Sequence, residues 1–287
     1  MDKIKIGVIG GTGLYQMEGM TDLTAINMDT PFGNPSDTIT VGTVASQRIA
    51  FLPRHGTGHY ISPTELPSRA NIYALKMLGV EWIIAINSAG SFKKELAPGH
   101  LLIPDQVIDR TTKRANTFFE GGIVAHISFA NPFCSVLSEI LYQSACDAGA
   151  TVHKGGVFVA MEGPAFSSRA ESLLYCSWGA DIIGMTVLPE AKLAREAEIC
   201  YASISCVTDY DCWQGDEGRV TVEKIMDVLH RNMDMAKKII RIVAGRIPEE
   251  RNCECATALK NAIITAPEHI KAQCKTDLSP IIGKYIN

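Results

Sequence analysis

Two aspartates, Asp209 and Asp211, stand one residue apart in the stretch VTDYDCW (207–213), where an apolar run that begins at Ile199 comes to its end. An ionised carboxylate beside apolar walls is costly to desolvate, so an acid in such a place is protonated, paired or set to meet a ligand. Two neighbouring acids share their protons, and burial moves their titration upward. The chemistry available to such a pair is general acid catalysis, the delivery of a proton to a departing group.

Three other segments offer hydrogen-bond donors where strands should end. Gly10-Gly11-Thr12-Gly13 directly follows the first strand-like run, and a glycine turn can aim backbone N–H groups and the Thr12 hydroxyl at an anion. It fits neither familiar nucleotide loop. Counted from Gly11, the third glycine of G-x-G-x-x-G is replaced by Gln16, and no glycine-lysine pair follows. Arg54-His55-Gly56 follows Leu52-Pro53, and a guanidinium fork with an imidazole as second donor can hold an oxyanion. His55 and His59 are four residues apart, but Gly56 and Gly58 mark a loop and no acid lies between them, which excludes a metalloprotease helix. Asn87-Ser88-Ala89-Gly90-Ser91 closes another run with small residues that let backbone amides approach a ligand. With Ile86 ahead of it, this segment is not a G-x-S-x-G elbow. Three donor segments carrying one fixed positive charge suit a single phosphate ion at the carboxyl ends of strands. Glu162, beside Pro164 at a further strand end, is positioned for a sugar hydroxyl, whereas Phe166 and Met185 read by composition as core packing.

The elements that must hold these residues are legible. Strand-like runs occupy 4–10, 47–53, 81–87, 101–108, 155–161, 180–186 and 199–207, many of them Val/Ile-rich on both faces as in strands covered by helices on both sides. Between them lie helical runs with punctuation at their ends. Asn131-Pro132 opens one that stops at Gly149, Ser168-x-x-Glu171 is a capping box, Pro67 and Pro189 open two more, and Thr221 caps the longest, 222–245. This alternation predicts a single α/β domain, residues 1–248, with a twisted, mainly parallel or mixed sheet surrounded by helices. Residues 249–287, with a helical run at 252–266, form a C-terminal helical extension packing on it.

Composition narrows the class. The chain has 287 residues, a hydrophobic fraction of 46% and a net charge of -4 without a long basic run, which disfavours nucleic-acid binding. No apolar stretch reaches the roughly 18 residues of a membrane span. The start, MDKIKIGVIGGTG, has no basic segment followed by an apolar one, and nine scattered cysteines suit reduced thiols in a cytoplasmic protein. There is no CxxC pair, which disfavours a zinc ribbon; Cys253-Glu254-Cys255 is either a strained redox clip or two unpaired thiols.

Longer strings go further. GVIGGTGL, DTPFGNPSD (29–37), PRHG, SRANIYALK, DQVIDRT (105–111), MEGPAFSSRAES, GMTVLPEAKLARE and VTDYDCW occur in one order across residues 4 to 245. Together they resemble the trimeric purine nucleoside phosphorylases, most closely the branch acting on 5′-methylthioadenosine. The resemblance implies phosphorolysis of that nucleoside to adenine and 5-methylthioribose 1-phosphate, with inorganic phosphate as co-substrate and no cofactor or metal. Carried over position by position, it implies a phosphate site of Thr12, Arg54, His55, Asn87, Ser88 and Thr186. Phe166, Ser167, Met185, Asp209, Tyr210 and Asp211 would meet the nucleoside, and His59, Val222 and Met226 would line the methylthio pocket, with His126 contributed by a neighbouring subunit. Asn87 is a departure, since many relatives carry threonine there. The same resemblance implies a homotrimer or hexamer, and heat-stable relatives with paired cysteines make a Cys253–Cys255 disulfide an open alternative.

In that reaction the departing base becomes negative, and Asp209 is the expected donor to N7, at the cost of an upward shift of about 3 pH units from the ordinary aspartate value near 3.9. A carboxylate there accepts from a 6-amino group and opposes a 6-oxo group, which selects 6-aminopurines. Resembling 6-oxopurine enzymes carry asparagine at the position of Asp209. Val222 and Met226, one helical turn apart, face either the core or an apolar 5′ tail. The competing readings are a purine nucleoside or methylthioinosine phosphorylase, a hydrolytic nucleosidase and a non-catalytic nucleoside-binding sensor; the failed glycine fingerprint leaves a Rossmann dehydrogenase poorly supported.

Overall fold

In the computed structural model the first apolar run becomes strand β1 (Ile6–Gly10), with every residue buried. The structure describes residues 4–11, 14, 17, 19–214 and 222–286, with the backbone alone at 214, 222–227, 229 and 230. Next come β2 (Thr21–Ile26), β3 (Ile39–Val44), β4 (Gln47–Pro53), α1 (Ser68–Met77) and β5 (Trp82–Ser91). Strands β6 (Leu101–Ile103) and β7 (Gln106–Arg110) precede α2 (Ser135–Asp147), β8 (Val152–Lys154) and β9 (Val157–Met161). The chain continues through α3 (Arg169–Ser177), β10 (Ile182–Gly184), α4 (Val187–Glu196), β11 (Cys200–Tyr210) and α5 (Val222–Ala244). Short helices α6 (Ala272–Asp277) and α7 (Ser279–Ile282) lie in the C-terminal segment.

These strands form one mixed sheet of 11 strands in the order β2-β3-β4-β1-β5-β10-β9-β7, which forks at β5 to take β11, then β6 and β8. At its centre β4, β1, β5 and β11 run parallel. Their carboxyl ends, Pro53, Gly10, Ser91 and Tyr210, therefore emerge on one side, and the Arg54 amide donates to Gly10 O at 2.9 Å to join two of them. The central strands are buried on both faces because helices cover both: α1 and α4 on one side, α2 and α5 on the other. In α5 the buried positions Val228, Asn232, Ala236, Ile239, Ile240 and Val243 recur at helical spacing and seat that helix on the sheet.

One irregularity matters for the acids. The register of β11 against β5 moves from Val207 opposite Ala89 to Asp209 opposite Gly90, so Thr208 is an extra residue in the ladder. Such a bulge re-aims the side chains beyond it, here those of Asp209 and Asp211.

Several expected boundaries move. Helix α2 begins at Ser135 rather than at Asn131-Pro132, because Asn131 O is taken by Arg195 Nη2 and the Cys134 amide donates to Tyr201 O, which keeps the chain extended up to Cys134. The expected strand at 101–108 splits at Pro104, which has no N–H to donate to a ladder. The run at 180–186 is strand only over Ile182–Gly184, and Thr186 stands at the start of α4. The helix expected at 252–266 is a short 3-10 turn, Glu254–Thr257, after which the chain turns through Asn261 (φ 64°) and pairs Ile263 with Ala125. Strands β2 and β3 were not foreseen; β2 is exposed and polar, so it lacks the apolar pattern of the others.

The C-terminal segment adds Leu259, Ala262, Ile270, Leu278, Ile281 and Ile282 to the main core. Buried Glu198 receives the Leu259 amide at 3.0 Å and the Tyr285 hydroxyl at 2.6 Å, and pairs with Lys284.

The capping box at Ser168 forms: its hydroxyl accepts from the Glu171 amide at 3.3 Å, and the Glu171 carboxylate accepts from the Ser168 amide at 2.8 Å. Ser168→Ala is expected to lower stability by about 1 kcal/mol, read as a shift of the urea unfolding midpoint with unchanged slope.

Candidate active site at the carboxyl ends of the strands

The two acids occupy unequal environments. Asp211 is only 4% exposed, and Asp209, nearer the surface, is half-buried. Burial pushes the Asp209 carboxyl above the ordinary range and the charge of Asp211 adds to this, against the hydroxyl of Thr208, which donates to Oδ1 at 2.6 Å. Asp211 is also pushed up by burial, and bonds from the Ser172 hydroxyl and the Cys212 amide oppose that rise. Ser172 lies four residues beyond the cap of α3, on its buried side, so the capped helix holds the inner acid. Gly90 makes room for both acids: a Cβ there would lie 3.1 Å from Asp209 Oδ2 and 3.3 Å from Asp211 Cβ.

The expected anion donors gather at the same end of the sheet, with changed roles. Arg54 is 2% exposed and does not offer a free fork. Its Nε and Nη2 donate to the two oxygens of Glu190 at 2.6 and 3.1 Å, while Nη1 reaches Ile86 O at 2.7 Å and Nη2 reaches Ile9 O at 3.3 Å. Of five N–H groups, one on Nη1 has no acceptor among the described residues. His55 Nδ1 bonds Ile61 O at 2.8 Å, and burial, reinforced by Arg54, His59 and Arg114, outweighs that bond and pushes the imidazole down to about 4. The ring is therefore neutral at pH 7 with its proton on Nδ1, and Nε2 is an acceptor. This reverses the donor role expected from the sequence.

Two buried polar groups at this end have an atom with no hydrogen-bond partner among the described residues. Asn87 Nδ2 donates to Ser203 Oγ at 2.8 Å, while its Oδ1 is buried without a hydrogen bond to the described residues. The Thr186 hydroxyl, on a residue 8% exposed, is likewise unpartnered. Buried groups of this kind are rare unless a ligand or water completes them. Gly184 brings the Thr186 turn against β5, where a Cβ would lie 3.1 Å from Ser88 O.

Glu162, expected to face a sugar hydroxyl, is fully engaged by the protein. It accepts from the Thr64 hydroxyl at 2.8 Å, the Thr112 amide at 2.5 Å, the Lys113 amide at 3.2 Å and Arg114 Nε at 3.2 Å. Burial pushes its carboxyl up, but these bonds and the Arg114 charge prevail and bring it to about 2. Arg114 also binds the carbonyls of Met161, Glu162, Met185 and Leu188, bracketing two strand ends. Neither Glu190 nor Arg114 was foreseen. An acid in the otherwise apolar start of α4 was the one available signal for Glu190, and nothing local distinguishes Arg114 within TTKRAN.

The remaining candidates divide. Phe166 is 53% exposed, so it is not core packing; it lines a cleft of about 250 Å³ with Arg110, Met161, Glu162, Gly163 and Tyr175. Met185 packs against Gly163, where a Cβ would lie 2.5 Å from its sulfur. Ser167 accepts from the Cys212 thiol through its carbonyl, and the Tyr210 hydroxyl donates to Lys94 O at 2.9 Å. The His59 ring stacks on His55 with centroids 4.2 Å apart. His126 is exposed, its amide bonded to Ala262 O at 2.9 Å. Thr12 and the side chains of Val222 and Met226 lie outside the described residues.

Removing one partner of a buried ion pair strands the other charge in a low-dielectric interior. Glu190→Ala is expected to cost about 3–5 kcal/mol of stability, with Glu190→Gln less damaging because it still accepts from Arg54 and Tyr201; chemical unfolding of both variants checks this.

Comparison with known proteins agrees with this arrangement. The profile of the Phosphorylase superfamily matches residues 5–244. A protein from Geobacter sulfurreducens named S-methyl-5′-thioadenosine phosphorylase is 56% identical over 282 residues, covering 98% of this chain and 99% of that one. The crystal structure of a methylthioadenosine phosphorylase from an antarctic soil metagenomic library superposes with a TM-score of 0.94 at 43% identity, covering 98% of this chain and 99% of its own. Methylthioadenosine phosphorylase from Schistosoma mansoni in complex with adenine superposes with a TM-score of 0.82 at 36% identity, over 90% of this chain and 97% of its own. With its sheet, the ends of its strands and nearly its whole length shared with these proteins, the chain belongs to the phosphorylase superfamily.

Proposed function

We propose that this chain catalyses phosphorolysis of S-methyl-5′-thioadenosine to adenine and 5-methylthioribose 1-phosphate. The observation that carries the reading is the meeting, at one end of the sheet, of a desolvated acid pair and buried polar groups without partners among the described residues. Similarity over nearly full length to proteins of that activity supports it.

In the proposed reaction phosphate sits among Thr12, Arg54, His55, Asn87, Ser88 and Thr186. The remaining Arg54 N–H and the Thr186 hydroxyl donate to its oxygens, and the bare Nε2 of His55 accepts from the P–OH of monohydrogen phosphate. Asn87 resolves its own mismatch by rotating its amide: the Ser203 hydroxyl then donates to Oδ1, and Nδ2 faces the anion. The Arg54–Glu190 pair lowers the net charge of the cradle, which leaves the dianion basic enough to attack C1′.

As the bond from C1′ to the base lengthens, the sugar becomes cationic and is stabilised by the phosphate, while Asp209 gives its proton to N7. Asp211, which accepts from the Ser172 hydroxyl and the Cys212 amide, acts by raising Asp209. Phe166 stacks on the base, Ser167 and Tyr210 border its edge, and Met185 supports the ribose. Once its proton has left, Asp209 accepts from a 6-amino group and opposes a 6-oxo group. His59, Val222 and Met226 receive the methylthio end, and His126 of a neighbouring subunit closes it, so the working unit is a homotrimer or a pair of trimers. Phosphate is the co-substrate and no cofactor takes part. Nine free thiols fit a cytoplasmic setting. Among the described residues no helix is long and apolar enough to cross a membrane.

Asp209→Asn keeps the shape but has no proton to give, so kcat is expected to fall about 100- to 10,000-fold. The protonated acid is the active form, present below its raised pKa and lost as pH rises through it. Wild-type kcat/KM should therefore decline on the alkaline side, and that limb should flatten in the variant. In a phosphate-dependent assay methylthioadenosine should exceed inosine by orders of magnitude in kcat/KM; equal rates would refute the assignment of the base, and turnover without phosphate would indicate a hydrolase.

A further inference from the structure

Away from the catalytic end, four thiols from three distant parts of the chain converge. Cys134 stands at the start of α2, Cys200 opens β11, and Cys253 and Cys255 flank Glu254 in the C-terminal segment. Their sulfur atoms all lie within 4.8 Å of one another, and Cys200 Sγ and Cys253 Sγ are 3.2 Å apart. Three of the four residues are buried, Cys253 partly so, and all four are thiols rather than disulfides.

We propose that Cys134, Cys200, Cys253 and Cys255 bind one zinc ion that fastens the C-terminal segment to the α/β core. Four thiolates around Zn²⁺ at about 2.3 Å form a tetrahedron with edges of about 3.8 Å, a size the quartet reaches with shifts of well under an ångström at the 3.2 Å contact. Thiolate sulfur selects zinc over hard cations. A closed set of four protein ligands makes the site structural.

The surroundings suit a dianionic centre. The amino end of α2, a 13-residue helix, begins at Cys134 and directs its partial positive charge toward the sulfurs. Buried Arg195 reaches Glu254, between the two outer cysteines, at 3.3 Å and holds Asn131 O at 2.6 Å. One turn into α2, the Ser138 hydroxyl is buried without a partner among the described residues and borders the same cavity as Cys134, Cys253 and Cys255, so a donor for thiolate is near at hand. That cavity, about 620 Å³, gives an ion a path inward. Binding displaces the thiol protons to solvent.

The test is metal analysis of the full-length protein, purified under reductant from zinc-supplemented cells and dialysed. One zinc per chain is expected, with the four cysteines shielded from alkylation until a chelator removes it and the melting temperature falling on removal. Reconstitution with Co²⁺ should give intense sulfur-to-metal charge-transfer absorption and the visible bands of tetrahedral cobalt. Cys255→Ser and Cys253→Ser should each lower retained zinc from one per chain to near none. Four alkylatable thiols with no retained metal, disulfides among the four in non-reducing peptide maps, or iron in place of zinc would each overturn the proposal. All of these are read on the wild-type protein and do not depend on the variants folding or on the catalytic reading.

Discussion

A buried, bidentate pair between Arg54 and Glu190 joins the loop after β4 to the first turn of α4, while the same guanidinium holds the carbonyls of Ile9 in β1 and Ile86 in β5. A charge desolvated to this degree is tolerated only when every contact is in place, so the pair fixes four elements relative to one another at the carboxyl end of the sheet. Tyr201 adds a third partner by donating to Glu190 at 2.9 Å. Arg54 is thereby held in place by four hydrogen bonds, which leave one N–H of Nη1 without an acceptor among the described residues. The proposed anion site depends on this, because preorganised donors need not reorganise during the reaction.

Arg114 and Glu162 repeat the device elsewhere in the chain, bracketing the ends of β9 and β10. In both cases a charged residue that looks in sequence like ligand machinery serves as a fastener of backbone. The buried polar atoms these fasteners leave without a partner among the described residues include Asn87 Oδ1 and the Thr186 hydroxyl, on residues that the proposed reaction gives to phosphate. The acids follow a related logic. The bulge at Thr208 and the missing side chain of Gly90 let Asp209 and Asp211 approach, and the capped helix α3 engages the inner acid through Ser172. In the proposed reaction the pair then divides into a proton carrier, Asp209, and a neighbour whose charge raises it.

The C-terminal segment shows how far a local pattern can mislead. Its run of helix-forming residues at 252–266 predicts a helix, yet tertiary contacts claim the chain instead: Leu259 gives its amide to Glu198, and Ile263 pairs with Ala125. The same contacts hold the strand-like stretch at 124–126 that carries His126. An appendage in sequence is part of the main core in three dimensions.

By itself the sequence determined the alternation of strands and helices, the capping box of α3, the placement of Arg54 and His55 just past a strand and of Asp209 near the end of another, and the family to which those strings belong, whereas Asn87, expected at a strand end, lies inside β5, which runs on to Ser91. These are legible because hydrophobic period, caps and turn residues act over a few neighbours. What only the tertiary structure decided is which partner each polar group meets: Glu190 for Arg54, Ile61 for His55, Ser172 for Asp211, and four cysteines drawn from positions 134 to 255. Those partners are set by long-range packing, and because charge state and hydrogen-bond direction follow from the partner rather than from the residue type, one-dimensional reading finds the participants but not their roles.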